Sequence, residues 1–455
     1  MSLPSMLLAF RTKIHQKFRK RADAALDLID AVTTAGVVTS PVALSEEPPF
    51  RRKFSAVYDV LDHADVDLPA LGKVLDEAQP ADCETLAGYE VYAVDATPNP
   101  RPPAETLSDR VLLKAAKDTP AVPGWKFSWL VRLVQRGTSW VAPQSVEQIP
   151  ATSSANQVAG DQVAALDKQS RQPKVVVWDS GYFNHLFLAL CVSLRSVILL
   201  VRMRHNSVLY EQPQPKPAKS KGAPRKHGAK FKLNQPTRAA DRTDTITIGP
   251  LTVVLTAWHG LHLKKAASLV GLALRVEFQK ADGTPRYQRP LWLFWIGPHT
   301  VALGDICRMY LWRFAIEHAF RFMKQRLGLN ANFGTKPASI QLWMRLCALA
   351  YWQLLLMRHD VADLRPAWHP RTVRSATQPL TPGQVQRGAL RFLCKLGAPA
   401  AAPRPAGKGR GRRKGYHPRV ARAIRCCARP QNRRQQPKKR RQWPQNRRRS
   451  HFKGH

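Results

Sequence analysis

Three carboxylates stand where the sequence could put them to chemical use. Asp95 ends the segment "VYAVD", Asp179 ends "VVVWD", and Glu317 lies in the middle of "YLWRFAIEHAFRFMKQRLGL", residues 310–329. The first segment alternates and the second is continuously apolar, so both read as strands, and sites in α/β sheets are built at strand ends. One such aspartate is commonly a cap or a turn residue; two on separate apolar strands are more telling. The segment around Glu317 reads as one long helix. At about 100° per residue, Tyr310, Arg313, Glu317 and Lys324 fall within roughly 60° of one another. As a surface stripe this is an i,i+4 pair worth only about 0.3 kcal/mol. However, Leu311, Phe314, Ile316, Phe320, Phe322, Met323 and Leu327 surround the helix, which is therefore expected to be buried. A buried carboxylate is costly unless it is paired or binds a cation. Three convergent carboxylates form an all-oxygen site suited to Mg²⁺, two ions being expected, with Mn²⁺ as a substitute. Paired ions can activate an attacking oxygen and stabilise a leaving oxygen in phosphodiester chemistry.

The charge of the chain points to the same kind of substrate. Of 455 residues, 72 are Lys or Arg and 31 are Asp or Glu, a net charge of +41. Cations in that excess displace counterions from a polyanion, so nucleic acid is the expected partner. Residues 401–455 hold 20 Lys and Arg and no acid, about half of the net charge. The seven cysteines are scattered without a CxxC pair, which suits a reducing compartment and argues against a disulfide framework or a Cys-based zinc site. No membrane partner is expected: the apolar stretches 186–201 and 342–357 are interrupted by Arg195 and Arg345, short of the ~20 clean residues of a span. The N-terminal apolar run is too short for a signal peptide.

The elements that must position the carboxylates follow from periodicity. Residues 1–85 read as helical. From Gly88 the period changes to that of strands: one ending near Asp95, a hairpin about "RG", a helix at "SANQVAGDQVAALDKQS", a strand ending at Asp179, a helix at "FNHLFLALCVSLR" and a strand at "SVILLVRMR". A hairpin joined to a strand–helix–strand run predicts an α/β domain with a mixed sheet. The segment 212–232 has seven Lys and Arg, several prolines and no acid, and reads as a basic arm. Alternating strands then follow to about 296, the long Glu317 helix next, and another helix at "ASIQLWMRLCALAYWQLLLM". The basic end cannot bury apolar area and is expected to be disordered when free.

At the three carboxylate segments the chain resembles a known family. "YLWRFAIEHAFRFMKQRLGL" matches the Y-x2-R-x3-E-x6-K signature of DDE transposases of bacterial insertion sequences, the insertion-sequence-four-like branch, at Tyr310, Arg313, Glu317 and Lys324. "VYAVDATPNPRP" resembles the segment of the family's first catalytic aspartate and "VVVWDSGY" that of its second. The resemblance covers roughly residues 85–360. It implies an RNase H-like fold with a β-rich insertion, giving an expected division into an N-terminal helical domain (1–85), a catalytic core in two parts (86–204 and 297–360), an insertion with the basic arm (205–296) and a largely disordered basic tail (361–455). It implies metal-dependent cleavage at transposon ends by water and transfer of the freed strand into target DNA. Asp95, Asp179 and Glu317 would be the metal ligands, and Tyr310, Arg313 and Lys324 contacts to double-stranded DNA. Synapsis of two ends implies a homodimer, and the host implies a cytoplasmic, nucleoid-associated protein.

Weaker features weigh less. Arg202 and Arg204 alternate on a strand and either face phosphates or sit as edge charges. Trp258, Trp292 and Trp295 could stack on an extruded base, but read first as core. His259 and His262 have loose metal spacing without a Cys or Glu nearby. No GxxxxGK[ST] is present, so nothing indicates ATP use. Two competing functions stand beside the transposase: a nuclease of the same fold that cuts without joining, and a decayed, non-catalytic DNA-binding protein. The intact carboxylates and signature count against decay.

Overall fold

The computed structural model describes residues 3–102, 107–113, 120–169, 172–185, 188, 194–215, 223–331, 333–334, 336–365, 368 and 379–404. The N-terminal layer contains helices α1 (Leu3–Lys17), α2 (Ala22–Thr34), α3 (Pro41–Glu46), α4 (Ser55–His63) and α5 (Leu68–Glu77), with a small antiparallel ribbon of β1 (Phe18–Lys20) and β2 (Asp65–Val66) that helical periodicity did not predict. Local chemistry starts two of these helices. Ser40 accepts from the Ala43 N–H at 3.0 Å and Asp67 from the Ala70 N–H at 3.1 Å, each with a proline in the first turn.

The sheet strands in chain order are β3 (Thr85–Leu86), β4 (Tyr89–Pro100), β5 (Val111–Leu113), β6 (Val122–Leu133) and β7 (Val141–Ile149), then, after helix α6 (Ala155–Gln169), β8 (Lys174–Trp178) and β9 (Val197–Met203). They continue as β10 (Val208–Glu211), β11 (Lys230–Lys232), β12 (Arg242–Ile248), β13 (Leu251–Leu263), β14 (Ala266–Gln279) and β15 (Leu291–Ile296). All belong to one mixed 13-stranded sheet whose spatial order is β11-β10-β13-β14-β15-β9-β8-β4-β6-β5, with β12 on β13, β3 on β4 and β7 on β6. Among the described residues only the β4–β8 and β8–β9 pairs are parallel. The β-rich segment after β9 thus extends the same sheet, because β15 pairs antiparallel with β9 from Trp292↔Met203 to Ile296↔Leu199.

Continuous apolarity in β8 has its reason in burial on both faces. Val175 and Val177 join the core shared with the N-terminal helices, while Val176 and Trp178 join a second core with Val163 and Leu166 of α6. Among the described residues four helices follow β15: α7 (Leu303–Trp312), α8 (Phe314–Gln325), α9 (Pro337–Met357) and α10 (Pro382–Leu396). α9 is long and apolar enough to cross a membrane, but 89% of that stretch is buried inside this protein, packed against α1, α2, α4, β7 and α10.

Four expectations need correction. β4 runs on past Asp95 to Pro100, since β6 pairs with it as far as Pro100↔Gly124. The single helix expected over 310–329 is two, broken at Arg313, where the Arg313 N–H bonds to the Tyr310 carbonyl and the Ile316 N–H to the Arg313 carbonyl, a tightened i→i−3 pattern. Residues 382–396, within the segment expected to be tail, form α10, begun by a Thr381–Gln384 capping box and packed on α2 and α9. Glu317 is not buried: its side chain is 44% exposed. The helix expected over "FNHLFLALCVSLR", half of the basic arm's lysines (within 216–222) and the end of the tail (405–455) lie largely outside the described residues.

Candidate active site

Strand register brings the two aspartates together. Val94 of β4 pairs with Trp178 of β8, and Trp178 pairs with Val201 of β9. The next residue on each strand is therefore Asp95, Asp179 and Arg202, side by side across the parallel strands. The pairing is realised in the last two: Arg202 Nη1 stands 3.7 Å from Asp179 Oδ1. Asp95 shares its side of β4 with Val91 and Ala93, which pack in the core that contains α7 and α8.

Three contacts hold α8 and the chain that follows it against this strand. Trp129, the cross-strand neighbour of Asp95, meets Phe320 edge-on with centroids 5.6 Å apart. Beyond Asp95, Asn99 Nδ2 donates to the Leu329 carbonyl at 3.2 Å, and Arg101 Nη2 donates to the Ala331 carbonyl at 2.7 Å. The extension of β4 past Asp95 is thus what ties the strand to the chain leaving α8.

The centre of the site is Arg313. Its side chain is 4% exposed, with Nη1 donating to Asp95 Oδ2 at 3.2 Å and Nη2 to Glu317 Oε1 at 2.6 Å. The guanidinium lies 5.9 Å from the Tyr310 ring and 5.6 Å from the Phe314 ring. Burial pushes the Asp95 carboxyl up from its ordinary value, the Arg313 charge opposes this, and Asp179 and Glu317 add to it. Lys324 lies on the same side: burial pulls its ammonium down and Asp95 counters the effect.

The remaining expected residues are distributed unevenly. Tyr310 is 2% exposed, and burial pushes its phenol up against the pull of Arg313 and Arg202. Arg202 and Arg204 are exposed, Arg204 just beyond the end of β9. Trp258, Trp292 and Trp295 are core residues: Trp258 lies 5.5 Å from Trp292, and Trp295 Nε1 donates to the Pro298 carbonyl at 3.1 Å. His259 and His262 do not converge; His259 faces His299 at 2.9 Å, while His262 sits between Gln212 and His227. One neighbour was missed. Tyr182, three residues after Asp179 in "DSGY", is buried, meets the Trp178 ring at a tilt with centroids 5.1 Å apart, and is pushed up first by burial and then by Asp95 and Asp179.

The donor set suits a hard divalent cation, being all carboxylate. Asp179 Oδ1 is a buried acceptor with no hydrogen-bond donor among the described residues. Against this, among the described residues no three of His, Cys, Asp and Glu close to ligand spacing, because Arg313 sits between Asp95 and Glu317. Asp95, Asp179 and Glu317 fit the cation chemically, with Arg313 engaging two of their oxygens.

The sequence profile of the family described as DDE superfamily endonuclease matches residues 13–262, and the chain belongs to that family. The match includes both aspartates and ends before Glu317. A solved structure similar to the chain is a piggyBac transposase synaptic complex with hairpin DNA, at 10% identity and a TM-score of 0.40, covering 88% of this chain and 80% of that one. No curated protein matches the chain.

Proposed function

We propose that this family member is a DNA transposase of the Tyr-Arg-Glu-Lys branch, which cuts DNA at the ends of its own element and joins the freed strand to target DNA. Asp95, Asp179 and Glu317 would hold the divalent ions, Mg²⁺ by the chemistry of the donors, which supply an activated water and a stabilised leaving oxygen when bound. Lys324, Arg202 and Arg204 would meet backbone phosphates, with Tyr310 and Arg313 behind them. Two copies would act together on two ends, in the cytoplasm and near the nucleoid.

The observation that carries the reading is the register of β4 and β8, which makes Asp95 and Asp179 neighbours beneath α8, together with the reach of Glu317 into the same charge cluster. Within this chain each residue has its own task. Asp95 and Asp179 supply acceptors from the rigid sheet, Glu317 supplies one from a helix pinned by Phe320, and the cations offset the repulsion between carboxylates and phosphates.

The test uses DNA carrying the inverted repeats that flank the coding region. Wild type should nick those ends with Mg²⁺ and join them to a plasmid, while Glu317→Ala should do neither yet still bind the DNA. Cleavage retained by Glu317→Ala would reject the assignment. With pre-cut ends, failure of wild type to join would leave a nuclease.

A further inference from the structure

We propose that Arg313 is a built-in counter-ion of the carboxylate site, occupying the oxygens of Asp95 and Glu317 that a divalent cation needs and yielding them when the cation binds. This rests on the reading of Asp95, Asp179 and Glu317 as the cation site.

Three observations carry it. First, Arg313 is the deepest charge of the cluster, 4% exposed against 26% for Asp95, 44% for Glu317 and 48% for Arg202. A guanidinium stays charged, so at that depth it needs carboxylates around it. Secondly, its two terminal nitrogens do not form a fork on one carboxylate: each takes an oxygen from a different element, Asp95 Oδ2 on β4 and Glu317 Oε1 on α8. That bridging sets the spacing of the two carboxylates and consumes lone pairs that would ligate metal. Thirdly, the helical hydrogen bonding is interrupted at this residue. Arg313 is where α7 gives way to α8, and its guanidinium lies 5.9 Å from the Tyr310 ring and 5.6 Å from the Phe314 ring. A side chain serving only as a DNA contact would sit at the rim, as Arg202 does.

In the absence of DNA the arginine and the metal therefore compete. Like-charge repulsion among three carboxylates is relieved by one or the other, and Arg313 keeps Asp95 and Glu317 oriented while no metal is bound. Arg313 is thus a positioning residue whose removal should strengthen metal binding, the reverse of what loss of a merely structural residue would do.

The experiment is a titration of the full chain, without DNA, with Mn²⁺, following free Mn²⁺ by electron paramagnetic resonance. Arg313→Gln should bind about tenfold or more tightly than wild type, a shift in the range seen when groups bonded to metal ligands are changed. The double variant Arg313→Gln with Glu317→Gln should lose that gain. Arg313→Lys, whose single ammonium cannot span both carboxylates, should lie between wild type and Arg313→Gln, and it carries the test if Arg313→Gln does not fold. Equal or weaker binding by the Arg313 variants overturns the inference while leaving the cation site standing. Absence of Mn²⁺ binding by wild type and variants alike overturns both.

Discussion

Arg11 in the N-terminal helical layer and Arg313 at the carboxylate end of the sheet are both nearly inaccessible, 1% and 4% exposed, and each is bonded to an aspartate. Their surroundings differ. Asp30, the partner of Arg11, is 4% exposed and has both oxygens engaged, one by Arg11 and the other by Gln353 Nε2 at 3.0 Å. Arg11 also donates to the Gly397 carbonyl, so this network joins α1, α2, α9 and the end of α10. Around Arg313 the carboxylates stay within reach of solvent, and Asp179 Oδ1 has Arg202 at 3.7 Å but no hydrogen-bond donor among the described residues. A carboxylate with both oxygens bonded inside the protein is a fastening. Carboxylates that keep solvent-facing oxygens beside a buried cation are where a further cation would bind.

The largest difference should appear in activity. Glu317→Gln should reduce metal-dependent DNA cleavage by about a thousandfold or more, comparable to removing a principal transition-state contact. Because Glu317 is half-exposed and Asp95 still pairs with Arg313, the same change should cost only about 1 kcal/mol of stability, read as the denaturant midpoint. Arg11→Ala should do the opposite. Leaving Asp30 buried and unpaired should cost about 3–5 kcal/mol of stability, while the molecules that remain folded cut DNA normally. If Arg11→Ala lost cleavage without losing stability, the contrast would fail.

A smaller effect is expected with pH. Burial raises Asp95 above the ordinary aspartate value of 3.8, so the folded state favours its protonated form. Its contribution to stability is therefore full below 3.8 and lost as pH rises through the folded value. Cation binding runs the other way, since ligands must be ionised. Mn²⁺ binding should thus weaken as pH falls toward the acid range in which Asp95 takes up its proton. The smallest effect belongs to an exposed pair. Arg136 and Glu84 are 2.7 Å apart, 50% and 31% exposed, and Arg136→Ala should cost less than about 1 kcal/mol with unchanged cleavage. Short distance alone does not make a network matter; depth and open acceptors do.

Much of this was legible in the residues. The continuous apolarity of "KVVVW" correctly announced a central strand, and the alternation around Asp95 correctly announced its neighbour. Arg313 does meet Tyr310 and Glu317, and Lys324 feels Asp95. What periodicity could not reveal was the break at Arg313, because a one-residue tightening hardly disturbs a helical pattern. It also assigned burial to the wrong charge: Phe314, counted as apolar bulk, is 43% exposed, and Arg313 rather than Glu317 is enclosed. α10 was overlooked although Thr381, Pro382 and Gln384 announce its start and Val385, Ala389 and Leu393 form its buried stripe. The skewed composition downstream hid a segment with ordinary helical signals. The tie from Asn99 and Arg101 to the chain after α8 spans some 230 positions, which no local pattern reaches.

The most direct test of the central claim is the rate of Mg²⁺-dependent nicking of supercoiled plasmid by Asp95→Asn, Asp179→Asn, Glu317→Gln and their pairwise combinations. If the three carboxylates act as one set, each single variant falls to the same background and the pairs fall no further. Wild-type nicking by any one of the single variants would contradict the account.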